Sequence, residues 1–291
     1  GLTYPQICDI IYLYKETNMS NELSNLDNLS NDKIMAMVGQ DVDMGGSSLA
    51  RLSINYEAED SDGNAIKRGL YKVEGTSKGT MYAEKVSFRP FLNTFQYKKY
   101  DEENEQNNYK TVMFRSWSDS KIDTNGTESC GSVPKAEREN LDPVAKIEQD
   151  KITCYRNVFG VVSAKGKSSK GEDIILTSEP VVYRVRGVNF MPIGNMLQSL
   201  SKRNKIMYNT LLEFDGTEKH TKGSVTYFVA KIKDGNKDVK FSDTVKETLK
   251  GFLEYVESEN NYVKDEHNKA KKGHTTASDV LDDEILKEVT A

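Results

Sequence analysis

The chain has 291 residues, of which 36% are apolar and 29% charged, and its formal net charge at pH 7 is −5. This length suffices for one large domain or two ordinary ones, each with a hydrophobic core. The net negative charge argues against a protein that coats polyanions with its whole surface, but it permits a local basic face.

The cysteines Cys8, Cys130 and Cys154 are odd in number, far apart and without a C-x-x-C pair. This usage indicates a reducing compartment and makes a disulfide framework improbable. No stretch approaches the roughly 18 apolar residues of a membrane span. The apolar run at 7–14 lacks the cationic lead of a signal peptide. We therefore expect a soluble intracellular protein without membrane contacts.

Residues 1–48 are rich in Asn, Ser and Asp and predict a weakly ordered or helical arm. From residue 49 the apolar pattern changes to a period of two, which is typical of strands. "RLSINYEA" and "GLYKVEG" flank an Asp-Gly turn. The next strand, "MYAEKVSF", is predicted to end at Pro90, because proline has no N–H for the ladder.

A hairpin is predicted from "FQYKKY" and "YKTVMFRSW", which are separated by an acidic loop. A polar insertion at 119–150 is expected to carry one helix. Strands resume at "TCYRNVFGVVSA" and "PVVYRVRGVNF". In the second of these, Val181, Tyr183 and Val185 alternate with residues that include Arg184 and Arg186.

The C-terminal part begins with a short predicted helix, "MPIGNMLQSLSKRNK", and a hairpin of "YNTLLEF" with "VTYFVAKI". Residues 241–260 predict a helix with Ser242 as its N-cap. Its apolar stripe is Val245, Leu249, Phe252, Leu253 and Val256. Residues 261–291 predict a basic linker followed by an acidic tail.

Short strands, turn-rich connections and few helices predict a mainly β fold. The expected architecture is a β-barrel over 49–240 that is OB-fold-like, with a β-sandwich as the alternative.

Catalytic and metal-binding patterns are absent from the sequence. Gly-Lys-Ser at 166–168 lacks the first glycine of a phosphate loop, so a hairpin turn is favoured. The turns "DVDMGG" and "DSDGN" lack the closing glutamate of a calcium loop. The histidines and cysteines form no closely spaced ligand pair. We expect no enzyme, no cofactor and no metal.

The most unusual segment is 81–117, where nine aromatic residues and six cations occur together, and four of its five acids fall in the loop at 101–105. Unpaired bases stack on aromatic rings, and phosphates attract Lys and Arg. Aromatic side chains in strands are more often core, and Phe88, Phe91 and Phe114 are the expected core members. Tyr97, Tyr100 and Trp117 are the better surface candidates.

These patterns define a candidate nucleic-acid surface. Its members are Arg89, Phe95, Tyr97, Lys98, Lys99, Tyr100, Lys110, Arg115, Trp117, Tyr155, Arg156, Arg184 and Arg186. The acidic tail is the candidate partner-binding segment, through Asp279, Asp282, Asp283, Glu284, Ile285 and Leu286.

Together, "RLSINYEAEDSDGNAIKRG", "MYAEKVSFRPFLNTFQYKKYD", "YKTVMFRSW", "ITCYRNVFG" and "VRGVNFMPIGNMLQSLSK" resemble phage-encoded single-stranded-DNA-binding replication proteins. The resemblance covers roughly residues 49–232. It implies an OB-fold that coats displaced single-stranded DNA without chemistry, in the cytoplasm of the host cell. It also implies an acidic tail that recruits other replication proteins.

Two alternatives stay open. One is a phage structural or regulatory protein that binds another protein through its β-surface and tail. The other is a metal-dependent nuclease in which Asp60, Asp62 and Asp173 converge in space.

Overall fold

A computed structural model describes residues 49–101, 106–240 and 242–289 of the chain. The predicted arm, residues 1–48, lies outside the described residues. The strands are β1 (Ala50–Ile54), β2 (Tyr71–Thr76), β3 (Gly79–Ala83), β4 (Lys85–Asp101), β5 (Gln106–Lys110), β6 (Ile152–Lys167), β7 (Asp173–Val185), β8 (Thr210–Lys222) and β9 (Val225–Asp238). The helices are α1 (Lys135–Arg138), α2 (Pro143–Asp150), α3 (Phe190–Lys202) and α4 (Asp243–Val289).

The described strands form one sheet in the order β3-β2-β1-β7-β6-β4-β8-β9, with β5 paired to β4. β1 and β7 run parallel, whereas the other neighbours are antiparallel, so the sheet is mixed. Tyr82 of β3 also pairs with Lys167 of β6. The prediction of a mainly β protein with a C-terminal helix is confirmed.

The strand predicted at 81–88 is divided at Glu84 between the end of β3 and the start of β4, and Pro90 does not end β4. The register of β4 with β6 shifts between Pro90 and Leu92, and a bulge tolerates a residue without an N–H. Opposite the bulge, a Cβ on Gly160 would lie 2.3 Å from the Arg89 carbonyl oxygen. The glycine therefore allows the two backbones to approach. As a result, β4 reaches from the core to the candidate surface as one element.

The predicted alternation along β7 is confirmed. Val181, Tyr183 and Val185 point into the main core, which also contains Phe88. Val182 points to the other face, where it packs with Phe159 against α4. We call this second face, on which α4 lies, the helix-side face of the sheet. Phe91 and Phe114 are buried as predicted.

Helix α4 begins directly after Ser242, the predicted N-cap, and buries Val245, Phe252 and Val256 of the predicted stripe. Each fully buried apolar side chain of this size contributes roughly 1.5–3 kcal/mol. The helix does not end near residue 260, because the backbone is helical to Val289. Residues 261–289 of the predicted linker and tail are thus part of α4, and the surroundings of side chains from residue 273 onward lie outside the described residues.

The extension of α4 has a physical reason that lies in its contacts. Val263 is fully buried and continues the stripe, and His267 is only 5% exposed. The His267 ring nitrogen Nδ1 lies 2.9 Å from the Asp123 carbonyl oxygen. Polar residues therefore occupy inward positions where the rest of the fold provides partners for them.

The insertion at 119–150 contains two short helices and not one. Asp142 caps α2 by accepting hydrogen bonds from the backbone N–H groups of Val144 and Ala145. The predicted helix α3 and the β8–β9 hairpin are confirmed.

Candidate nucleic-acid interface

The sheet register divides the predicted surface residues between two faces. Phe95 pairs with Arg156 and Lys98 pairs with Thr153 in an unbroken stretch of the β4–β6 ladder. Because side chains alternate along a strand, Phe95 and Arg156 share one face and Lys98 lies on the other. The predicted set therefore forms two surfaces, and not a single groove.

The helix-side face carries a group of basic side chains next to α4. Lys98 pairs with Lys110 across β4 and β5, and Arg51 lies opposite Val182, two positions before Arg184. We call this group the cationic cluster. Its members are Arg51, Lys98, Lys110, Arg184 and Arg186.

Tyr155 lies among these cations. The Lys98 ammonium is 5.9 Å and the Arg186 guanidinium 5.8 Å from the centre of the Tyr155 ring. Arg184 donates from Nε to Asn157 Oδ1 at 3.0 Å, which fixes its guanidinium over the sheet. The cluster thus combines an aromatic ring with positively charged groups of defined geometry.

Negative charge at the cluster comes from Glu74 of β2, which lies opposite Arg51, and from Glu259 of α4. Glu259 forms an ion pair with Lys110, with 2.8 Å between Glu259 Oε2 and Lys110 Nζ. In the described part of the chain, Lys110 is the only member of the cluster that forms an ion pair. The cluster therefore retains an excess of positive charge.

The pKa of Lys98 reflects this excess. Burial, followed by the nearby charges of Arg184 and Lys110, lowers the pKa of Lys98 from 10.5 to about 8, against the opposing effect of Glu259. Burial likewise lowers the pKa of Arg184. A bound anion would relieve the repulsion among these groups.

This pKa predicts a pH-dependent cost to stability. Between pH 8 and 10.5 the unfolded chain holds the Lys98 proton more tightly than the folded protein, so the contribution of Lys98 to stability rises with pH. Below pH 8 Lys98 is charged in both the folded and the unfolded state, so its full unfavourable contribution to the free energy of unfolding is present. Lys98→Met should therefore raise the free energy of unfolding at pH 7 by about 1–2 kcal/mol. In urea titrations of both proteins, the difference should shrink as the pH approaches 10.5; a pH-independent difference would contradict this account.

The opposite face carries a stack of rings and one guanidinium. The Phe95 ring centre lies 4.8 Å from that of Trp117, and the Arg156 guanidinium lies 4.8 Å above Phe95 and 4.6 Å above Phe190. We call Trp117, Phe95, Arg156 and Phe190 the ring column. Phe114 packs beside it, 5.4 Å from Trp117. Trp117 is 54% exposed, so the column is open to solvent at this end. Phe95 is buried, so its prediction as a residue that stacks directly on a base is corrected.

The remaining predicted residues are placed less favourably for binding. Lys99 forms an ion pair with Glu148 of α2 at 2.9 Å. Tyr97 is half-buried and stacks on Phe114 at 6.0 Å, whereas Tyr100 and Arg115 are exposed. None of these residues belongs to the cationic cluster or to the ring column.

Arg89 requires a correction. The sequence suggested a phosphate contact, but the side chain is buried and donates from Nε to the Tyr208 carbonyl oxygen at 2.6 Å and from Nη2 to that of Lys240 at 3.0 Å. The guanidinium is therefore engaged with the protein backbone. Arg89 connects β4 to the segments before β8 and after β9.

Sequence reasoning missed four residues at these surfaces: Arg51, Glu259, Tyr262 and Phe190. Tyr262 lies 4.9 Å from the Lys110 ammonium, on the same side of α4 as Glu259. Arg51 alternates with the buried Ala50 and Leu52, which marked it as pointing away from the main core. Its position beside Arg184 depends on the parallel β1–β7 pairing, which no local pattern in the sequence predicts.

The other motifs are explained by local structure. Ser168 accepts a backbone hydrogen bond from Gly171 in the β6–β7 turn, so Gly-Lys-Ser belongs to a hairpin as predicted. Asp60 Oδ1 accepts from the N–H groups of Asp62 and Asn64 within its own turn. Among the residues described, no three His, Cys, Asp or Glu side chains come close enough to hold a metal ion.

Comparisons with known proteins give no family assignment. Over the described ranges, no helix is both long and apolar enough to cross a membrane. A scan against protein-family models, a search of curated proteins and a search of solved structures each found no match for this chain.

Proposed function

We propose that this protein binds single-stranded DNA without catalysis, through phosphate contacts and aromatic stacking. The observation that carries the proposal is the cationic cluster, in which two of five basic side chains, Lys98 and Arg186, lie at the Tyr155 ring. The five positive charges outnumber the two carboxylates at the cluster, Glu259 and Glu74. Phosphates neutralise such a cluster and release counterions. Tyr155 offers a ring on which a base can stack beside them.

The ring column is the second stacking surface in this proposal. The edge segment that carries Lys110 on the helix-side face continues to Phe114 and Trp117 on the opposite face. A single-stranded DNA molecule that follows this edge contacts both the cationic cluster and the ring column.

We further propose that strands β1, β2, β3, β6 and β7 form a partly closed, OB-fold-like barrel. The Tyr82–Lys167 bridge supports it, because this pairing links the two ends of that set of strands. By resemblance to the phage replication proteins, the role is in phage DNA replication or recombination in the host cytoplasm. The residues from Asp279 to Leu286 are then the contact for other replication proteins.

Titration of a fluorescent oligo-dT at 50 and 200 mM salt tests the proposal. With five phosphates neutralised, log Kd should change with log salt with a slope of about 3.5, so affinity should fall about 100-fold between these concentrations. Absent or salt-insensitive binding would refute it. Retention of a co-purifying protein with no oligonucleotide affinity would instead favour the protein-binding alternative, and strand cleavage with added magnesium would indicate a nuclease.

Trp117 provides a second readout, because it is the only tryptophan of the chain. Saturating oligo-dT should quench its fluorescence, since the exposed ring is stacked by a base. Trp117→Ala should weaken binding by about 1–3 kcal/mol and leave the circular dichroism spectrum unchanged. Unaltered emission at saturation would show that the ring column takes no part.

A further inference from the structure

The second half of the described part of α4 covers polar side chains of the sheet. From Val245 to Val256 the helix makes apolar contacts. Beyond that point, Glu259 pairs with Lys110, and the Asn260 amide bonds to the backbone N–H and carbonyl of Met113 at 2.6 and 3.0 Å. Val256 and Val263 are the buried apolar side chains of the segment 255–267. Its polar contacts can be exchanged for contacts with water or a ligand at smaller cost than apolar ones.

The Glu259 carboxylate lies where the cationic cluster would hold an external anion. It is bonded to Lys110, and its charge acts on both Lys98 and Arg184. A phosphate has the same charge-assisted hydrogen-bonding chemistry as this carboxylate. Glu259 therefore makes with Lys110 the kind of contact that a phosphate would make.

Three buried polar side chains lie on the same face of the sheet as Lys98. Thr94 and Asn157 are fully buried and directly paired across β4 and β6, and Gln96 is two residues from Thr94. Thr94 Oγ1, Gln96 Oε1 and Asn157 Nδ2 have no hydrogen-bond partner among the described residues. Together they present a hydroxyl, an acceptor and a donor without partners.

Unsatisfied polar atoms of this kind are rare in folded proteins, because each loses its water without gaining a partner. At Thr94 an apolar side chain of similar size would avoid that loss. Gln96 and Asn157 each make one hydrogen bond through their other polar atom, to the Thr111 carbonyl oxygen and from Arg184 Nε. The arrangement is instead suited to a ligand that has both donors and acceptors at one edge and a negative charge at the other. A nucleotide unit has this chemistry.

We propose that α4 between Tyr255 and His267 covers a subsite for one nucleotide of the bound strand. In the bound state this segment moves off the sheet and a phosphate replaces Glu259 at Lys98, Lys110 and Arg184. The edge of the base meets Thr94, Gln96 and Asn157. The inference rests on the proposed function, and it adds that the site is closed in the free protein.

Hydrogen exchange of the full chain, with and without saturating oligo-dT, tests the movement. Amides in 255–267 should exchange faster in the complex, whereas those in 243–252 should be unchanged. This direction is distinctive, because ligands ordinarily increase protection where they bind. Slower or unaltered exchange over 255–267 would overturn the proposal.

Two substitutions test the subsite. Glu259→Gln should increase affinity for oligo-dT about fivefold by removing the competing charge, whereas Glu257→Gln, an exposed position on the same helix, should have a smaller effect. Thr94→Val removes an unpartnered hydroxyl, so it should leave stability unchanged or higher. It should weaken oligo-dT binding about three- to tenfold and not change binding of an abasic oligonucleotide.

The outcomes separate the two proposals. If the wild-type protein binds oligo-dT with the expected salt dependence but both variants bind like it, the subsite is wrong and the proposed function stands. In that case ordered water is the partner of the three buried groups. If the wild-type protein does not bind oligo-dT at 50 mM salt, both proposals fail.

Discussion

Replacing Arg184 and Arg186 together by glutamine is expected to weaken oligo-dT binding by about 30-fold at 50 mM salt and to lower the salt slope by about 1.4. Arg184 lies in β7 on the helix-side face, where it is fixed by Asn157, and Arg186 follows the strand and lies over Tyr155. Loss of two phosphate contacts reduces affinity for every sequence alike, because these contacts do not distinguish bases.

The matched control is Arg68→Gln with Lys222→Gln, which removes the same charge from exposed positions outside the cationic cluster. If the control loses as much affinity as the test variant, binding depends on net charge alone and the cluster is not the site. Arg186→Gln by itself guards against misfolding, since Arg186 is exposed and donates no hydrogen bond to the sheet in the described residues. Arg186→Gln alone should lower the slope of log Kd against log salt concentration by about 0.7.

Asp123→Ala is expected to reduce the free energy of unfolding by about 3 kcal/mol or more. The side chain is fully buried, and its carboxylate accepts hydrogen bonds from the N–H groups of Asn125, Thr127 and Cys130 and from the Thr127 hydroxyl. Alanine leaves the buried Cys130 N–H without its partner and removes the contacts that hold the exposed Asn125 and Thr127 in the turn. Urea unfolding monitored by circular dichroism measures the loss.

The same substitution should loosen the second half of α4, because the Asp123 carbonyl oxygen is the partner of His267. Amides around residue 267 should then exchange faster, even below the urea transition. Asp119→Ala is the matched control: Asp119 also accepts two backbone N–H groups, those of Arg115 and Ser116, but it is exposed. A comparable loss of stability in both variants would show that burial of the Asp123 network is not the cause.

Most strands could be predicted from the sequence, because buried apolar and exposed polar side chains alternate along a strand. This alternation is visible in the sequence without knowledge of the partner strands. The alternation of β7, the apolar stripe of α4 and the β8–β9 hairpin were predicted correctly for this reason. Pro90 was misinterpreted, because the bulge that tolerates it forms only when β6, with Gly160 opposite, is in place. The backbone partners of Arg89 are likewise distant in sequence, at Tyr208 and Lys240.

The candidate nucleic-acid surface also has features that the sequence predicts and others that depend on the tertiary structure. Composition identified the segment that carries rings and cations, but it did not distinguish Lys98 from Lys99, which point to opposite faces because they are neighbours on one strand. The extension of α4 past residue 260 was also missed. Its inward residues Asn260 and His267 are polar, so no apolar period marked them, and their partners are backbone groups of Met113 and Asp123.

The sequence by itself therefore determined the strand content, the alternating burial of Val181, Tyr183 and Val185, and the segment where aromatic and basic side chains concentrate, since these depend on local periodicity and composition. Only the tertiary structure decided which cations meet, because Arg51, Lys98 and Arg184 come together through strand pairings between distant segments. It also placed Glu259 on the cationic cluster, since docking of α4 is set by contacts far along the chain. That placement is the basis of the closed site proposed above.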